Sequence, residues 1–294
     1  MKNDININFN ENNSKRYWAQ LLDAVNLHHQ FARQDRINPA PIGLTWYALW
    51  SDECGSFSAP MLSHISINDF SIAASVLNLT FNNNIVINAP NLFQLFTGLL
   101  PSITSQESRA STRSPHYSER LMQWSFHELA HASFFMKVGQ TYWIRVITNI
   151  LVADASLCGG YGCGNEIFAG DTQLNEAWAE FLGKEHHRRV HPNGQCETDG
   201  NTWVDYPAAL EDDRSFQNDW IPTGVFFDLM DATNLTAERN DQIQGFTIAQ
   251  QYNIFSPNMH SFCEYRDRFI QLNRGVSTAQ FNGVFTQNDF LNCR

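Results

Sequence analysis

His127, Glu128 and His131 form an H-E-x-x-H arrangement within Ser125-Phe126-His127-Glu128-Leu129-Ala130-His131-Ala132. On an α-helix, residues four apart lie one turn above each other, so the two imidazoles can offer nitrogens to one ion. Glu128 sits one position round from that line, where its carboxylate reaches a water on the metal without binding the metal itself. Metal-assisted hydrolysis requires a Lewis acid, a water of lowered pKa and a base to take its proton. The competing reading is two histidines and a glutamate on a helix without chemistry. That reading must find a buried partner for each of three ionisable groups in a very apolar segment.

The helix that carries these residues is bounded by Ser118, an N-cap residue ahead of Glu119-Arg120-Leu121, and by Gly139, a C-terminal stop after Val138. Between them Leu121, Trp124, Phe126, Ala130, Phe134, Phe135 and Val138 leave little polar surface. Such a helix is expected to be buried on most sides.

A hydrolytic zinc site has three protein ligands and an open fourth position. The metzincin solution, a third histidine in H-E-x-x-H-x-x-G-x-x-H, is excluded, because Phe134 and Lys137 occupy its glycine and histidine positions. Downstream, residues 171–183 read as a second helix with Asp171 at its N-cap, and Glu176 and Glu180 share one face of it. With Asn175-Glu176 followed by Glu180, the two segments resemble the gluzincin metallopeptidases. That thermolysin-like group carries H-E-x-x-H on one helix and N-E-x-x-x-D on the next, and Glu180 stands here in place of the Asp. The resemblance implies zinc as cofactor, Glu176 as its third ligand, and Glu180 as the acceptor that orients a ligand histidine and raises its basicity. It covers these two helices alone. The interval from His131 to Glu176 is longer than the group usually has, so spacing leaves Glu176 and Glu180 as alternatives; the Asn-Glu pair favours Glu176.

Around these motifs the chain divides into an Asn-rich lead-in over 1–13, a helix plus small sheet over 14–110, and a mainly helical part over 111–294. Residues 14–294 are expected to form one continuous domain. Tyr17, Leu21, Leu22, Val25 and Leu27 give residues 14–31 an amphipathic helical pattern. Residues 43–95 read as β-rich, with strands at 44–50, 64–67, 75–81 and 84–87 between Asn-rich turns. Residues 102–116 read as a loop, and 141–155 as a buried helix. The expected fold class is therefore α+β and zincin-like, a small N-terminal β-sheet followed by a mainly helical region. In zincins such a sheet can pair with substrate backbone at its edge, a role the resemblance would give to 84–89. Gluzincins also keep a His or Tyr donor for the oxyanion C-terminal to their motifs, and Tyr206, Tyr252 and His260 are the candidates here. His187 and His191 are four apart, but Pro192 and the neighbouring arginines suit a basic helix end better than a second metal site.

At 294 residues with 43% hydrophobic and 13% aromatic content, the chain can bury a substantial core. A net charge of −11 argues against a nucleic-acid partner, and no apolar run has the length of a membrane span. Six cysteines, Cys54, Cys158, Cys163, Cys196, Cys263 and Cys293, include no C-x-x-C pair, which disfavours a structural zinc knuckle. Cys158 and Cys163 can close a small disulfide loop, which suits an oxidising compartment. Residues 1–6 have no apolar signal region, so either the protein stays inside the cell or an export signal has been trimmed away; the cysteines and the protease-like site favour an exported protein. These readings converge on a zinc metallopeptidase acting on a peptide or protein substrate by Glu128-assisted attack of a zinc-bound water. The alternatives are a catalytically inactive zinc-bearing surface or binding protein, and a metal-free protein with histidines in its core.

Overall fold

The computed structural model describes residues 14–51, 56–59, 61–64, 102–108, 117–154, 161–192, 195–198, 202–205, 220–231 and 243–287. These are mainly helical, in α1 (Ser14–Gln34), α2 (Tyr117–Asp154), α3 (Ala169–Val190), α4 (Val225–Met230), α5 (Ile248–Ile254), α6 (Phe262–Leu272) and α7 (Thr278–Gln287). Helix α3 is the axis of the molecule. Seventeen of its residues between Ala169 and His187 are buried, so it has no polar face of the kind a surface helix shows. Helix α2 crosses one side of α3 and also packs against α1. On another side an aromatic cluster closes over Trp178, with Phe226, Tyr252 and Phe255 at ring-centroid distances of 5.3, 5.6 and 5.1 Å.

The α+β architecture with an N-terminal sheet is overturned by this predominance of helix. Among the described residues, strands are confined to short runs: β1 (Trp46–Ser51), β2 (Ser56–Ser58), β3 (Ile103–Ser108), and the hairpin pair β4 (Gln195–Thr198) and β5 (Thr202–Asp205). The central member of the first group, β3, is parallel to β1 and antiparallel to β2. It falls in 102–116, the stretch read as a loop, because its Ser- and Thr-rich sequence gains strand character only from its partners. Of the four expected strands only the one at 44–50 is recovered. Those at 75–81 and 84–87, with the proposed edge at 84–89, lie outside the described residues, as does all of 64–67 except His64, which ends a short 3-10 turn.

The helical expectations fare better. Gly139 has φ 80° and ψ 178° inside α2, so the motif helix stops at the expected glycine and a second helical run continues directly beyond it. Left-handed φ is the conformation glycine adopts at little cost. Helix α3 begins earlier than expected, with Phe168 at its N-cap in left-handed backbone. Asp171 therefore lies in the first turn. It is buried there and paired with Arg145 at 2.9 Å and with His260 at 2.6 Å. Helix α5 opens with a reciprocal capping box between Thr247 and Gln250.

Helices α1 and α3 meet at a layer of buried histidines. His28 accepts a hydrogen bond from Ala40 N–H through Nε2, at 3.3 Å, so this ring is neutral. Its ring lies 5.3 Å from that of His186, whose Nε2 is 3.2 Å from Asp35 Oδ2. Burial lowers the pKa of His28, His186 and His187, the last to about 3. The unfolded chain therefore binds more protons than the folded one below about pH 6.5. A depressed histidine pKa makes stability fall with falling pH, through the window from about 6.5 down to the folded value. Each buried neutral histidine then removes about 1.4 kcal/mol per pH unit. Chemical denaturation of the chelator-treated protein should show a clear loss of stability between pH 6.5 and 5. A flat profile over that range would contradict neutral burial of these rings.

Candidate metal centre

The crossing of α2 over α3 sets the site. A Cβ built on Gly183 would lie 2.9 Å from both Cα and N of His127, so only glycine lets α3 approach the α2 backbone at this level. Gly183→Ala is expected to push the helices apart, at about 1–3 kcal/mol by analogy with overpacked cores. It should weaken metal binding as well as thermal stability. Unchanged stability and metal affinity in that variant would show that the crossing tolerates a Cβ.

At this crossing His127, His131 and Glu176 bring ligand atoms within 4.8 Å of one another, the one such group among the described residues. The His127 and His131 Nε2 atoms are 3.0 Å apart. Glu176 Oε2 lies 3.5 Å from the first and 3.3 Å from the second. Four ligands at zinc bond lengths of about 2.0–2.1 Å around a tetrahedral ion are separated by roughly 3.3 Å, so the triangle has the dimensions of one face of such a site.

Protonation makes the same point independently. His127 Nδ1 is 3.0 Å from Glu180 Oε2, and His131 Nδ1 is 3.0 Å from Asn175 Oδ1. A carboxylate and an amide oxygen only accept, so each Nδ1 carries a proton and Nε2 is the ring atom turned inward toward Glu176. Glu176 Oε2 is buried and lies against the two Nε2 atoms. Three atoms with lone pairs therefore converge on one point. Positive charge there, a bound cation or a proton carried at Nε2, favours such a cluster.

The titration behaviour follows from that. Burial opposes a charged His127, but its hydrogen bonds to Glu176 and Glu180 outweigh burial and hold its pKa well above the ordinary value. Burial likewise opposes a charged Glu176, yet the His131 and His127 rings bring it down to about 2. Glu180 is pulled far below the usual carboxylate range against its burial, by the Lys184 ammonium first and then by His127.

Glu128 is buried and its Oε2 has no partner. Burial raises its pKa, with the histidine rings opposing and Glu176 adding to the rise. A carboxylate held up in this way is a better proton acceptor than an exposed one. Tyr161 was not among the sequence candidates. Its side chain hydrogen-bonds Glu176, and burial followed by the charges of Glu176 and Glu128 pushes its hydroxyl well above the ordinary value. It therefore stays protonated and available as a donor. Asn149, on the far part of α2, donates to the Tyr161 carbonyl at 3.2 Å. The sequence signal for Tyr161 is its place in a glycine-rich run between the two motifs, whereas the resemblance points to a donor C-terminal to them.

The sequence candidates for that role lie elsewhere. Tyr252 donates to the Ser133 carbonyl at 2.8 Å, His260 is held by Asp171, and Tyr206 is outside the described residues. His187 and His191 have ring centroids 5.0 Å apart but join no third ligand among the described residues. The two glutamates on α3 take separate positions: Glu176 faces both Nε2 atoms, while Glu180 meets the outward Nδ1 of His127. No helix among the described residues is long and apolar enough to cross a membrane. No known protein family, curated protein or solved structure matches the chain.

Proposed function

We propose that this chain is a zinc-dependent peptidase in which His127, His131 and Glu176 hold the ion. The observation that carries the reading is the convergence of two imidazole Nε2 atoms and a buried carboxylate oxygen on one point, with the free Oε2 of Glu128 on the same helical turn. Two nitrogens and one oxygen from side chains suit zinc with an open fourth position. His127 and Glu180 retain 17% and 20% exposure, so solvent reaches one side of the centre. Bound there, the ion supplies Lewis acidity and lowers the pKa of a water molecule.

The remaining steps belong to the chain. Glu128 takes the proton of the attacking water and returns it to the leaving amine. Tyr161, whose hydroxyl bonds Glu176 in the resting site, turns that hydrogen to the carbonyl oxygen as negative charge develops on it. Glu180 and Asn175 hold the two rings in the Nδ1–H tautomer, so that both Nε2 atoms remain ligands. Cys163 and Cys263 are each disulfide-bonded, which supports an exported protein acting in an oxidising compartment. The test is direct. Purified protein should hold one zinc per chain and cleave members of a generic peptide library, with both zinc and cleavage lost to a chelator. Zinc without cleavage would favour the inactive binding protein, and no zinc even when it is offered at neutral pH would defeat the reading.

A further inference from the structure

Lys184 is among the most completely buried large side chains of the described residues, at 2% exposure. A lysine is rarely found so deep unless it is paired, and its Nζ lies 2.9 Å from Glu180 Oε1. The other oxygen of the same carboxylate, Oε2, meets His127 Nδ1 at 3.0 Å. Both oxygens of Glu180 are thus engaged, one by each neighbour. The three groups form a line from the interior to the ligand ring, Lys184 to Glu180 to His127. Lys184 follows Gly183, the residue at which α3 presses on the His127 backbone, so backbone contact and side-chain line act at the same level of the crossing.

Charge reinforces the geometry. Glu128, Glu176 and Glu180 place three carboxylates around one point, and Lys184 answers one of them through direct contact. The remaining two match the charge of a divalent cation. Without the ammonium, Glu180 would be a largely buried carboxylate held only by an imidazole N–H. Its freed oxygen would be drawn toward the solvent that already reaches it, leaving His127 Nδ1 without a fixed acceptor. Because the ammonium is paired with Glu180, its repulsion of a cation at Nε2 is largely cancelled by that carboxylate, so loss of positioning dominates.

We infer that Lys184 is a positioning residue for the metal centre: it fixes Glu180, which in turn fixes the tautomer and orientation of His127 toward the ion. The inference rests on the reading of His127, His131 and Glu176 as a cation site. It concerns zinc affinity, with no step of the reaction involved.

The test is zinc affinity by chelator competition for wild type, Lys184→Met, Lys184→Arg, Glu180→Gln and the Glu180→Gln/Lys184→Met double variant. Thermal melts in chelator report whether each metal-free variant folds. Replacing groups that support metal ligands typically weakens binding by about 10–100-fold, so Lys184→Met should bind zinc on the order of 10-fold more weakly. Lys184→Arg should restore most of the affinity by keeping a charged donor. Because Lys184 acts through Glu180, adding Lys184→Met to Glu180→Gln should cost nothing further. A folded Lys184→Met with wild-type affinity, or an equal loss in the Glu180→Gln background, would overturn the inference and leave the zinc site intact. Should Lys184→Met fail to fold, Lys184→Gln replaces it: affinity below that of Lys184→Arg supports the inference, and equal affinity overturns it. Wild type that takes up no zinc would defeat the cation site itself.

Discussion

Glu128→Gln should retain one zinc per chain and lose peptide hydrolysis by about 10²–10⁴-fold, the contribution typical of a positioned proton-transfer group. The amide preserves the shape of the side chain and cannot accept the proton of the attacking water. Glu128 is not placed as a ligand: the cluster consists of His127, His131 and Glu176, and the Glu128 Oε2 atom is unpartnered. Metal content and activity must therefore separate in this variant. Burial raises the pKa of Glu128, so the glutamine also removes a costly buried charge, and the metal-free protein should melt no lower than wild type. Zinc analysis beside peptide turnover checks both halves. Full activity in a zinc-replete Glu128→Gln would remove the proton-transfer role and with it the proposed chemistry.

Glu176→Ala and Glu180→Ala should differ sharply although the two residues are one helical turn apart. Loss of Glu176 takes away one of three ligands and leaves two imidazole lone pairs 3.0 Å apart. Zinc affinity should fall by more than the roughly 10–100-fold that follows from altering a group behind a ligand. Loss of Glu180 frees His127 Nδ1 and removes the ion pair with Lys184, but keeps all three ligand atoms. Zinc should remain bound, within that 10–100-fold range. Equilibrium dialysis against graded chelator would rank the three proteins. If Glu180→Ala lost zinc and Glu176→Ala kept it, the two glutamates would have to exchange roles.

The ligand pairs were legible in the sequence because helices impose strict local geometry: four residues of spacing bring His127 and His131 together whatever surrounds them. Which glutamate faces the rings was less legible, because Glu176 and Glu180 share a helix face and the sequence does not say how α2 crosses it. Gly183 fixes that crossing, and a glycine inside a helical pattern is the kind of mark that close packing leaves. In the sequence Gly183 looks like a helix end, but the helix runs on to Val190. Tyr161 and Lys184 were illegible for a different reason. Their roles depend on contacts made after the chain folds back, and a lone tyrosine in a loop or a lysine near two arginines carries no periodic signal. The sheet was misjudged because β-branched runs report what would fit a pleated surface without naming a partner, whereas the strand that holds β1 and β2 together is a polar one.

The centre draws all its groups from a single stretch, from His127 to Lys184, on consecutive helices. Pairs of neighbouring helices form early in folding because their contacts are close in sequence, and the entropy of closing the intervening loop grows only slowly with its length. The binding constellation can therefore assemble before the C-terminal aromatic helices condense around Trp178. An ion captured at that stage would tie the two helices together as a covalent cross-link does, and its binding free energy would count toward folding. On this view the order in which the chain acquires its metal and its core is itself set by where along the sequence the ligands fall.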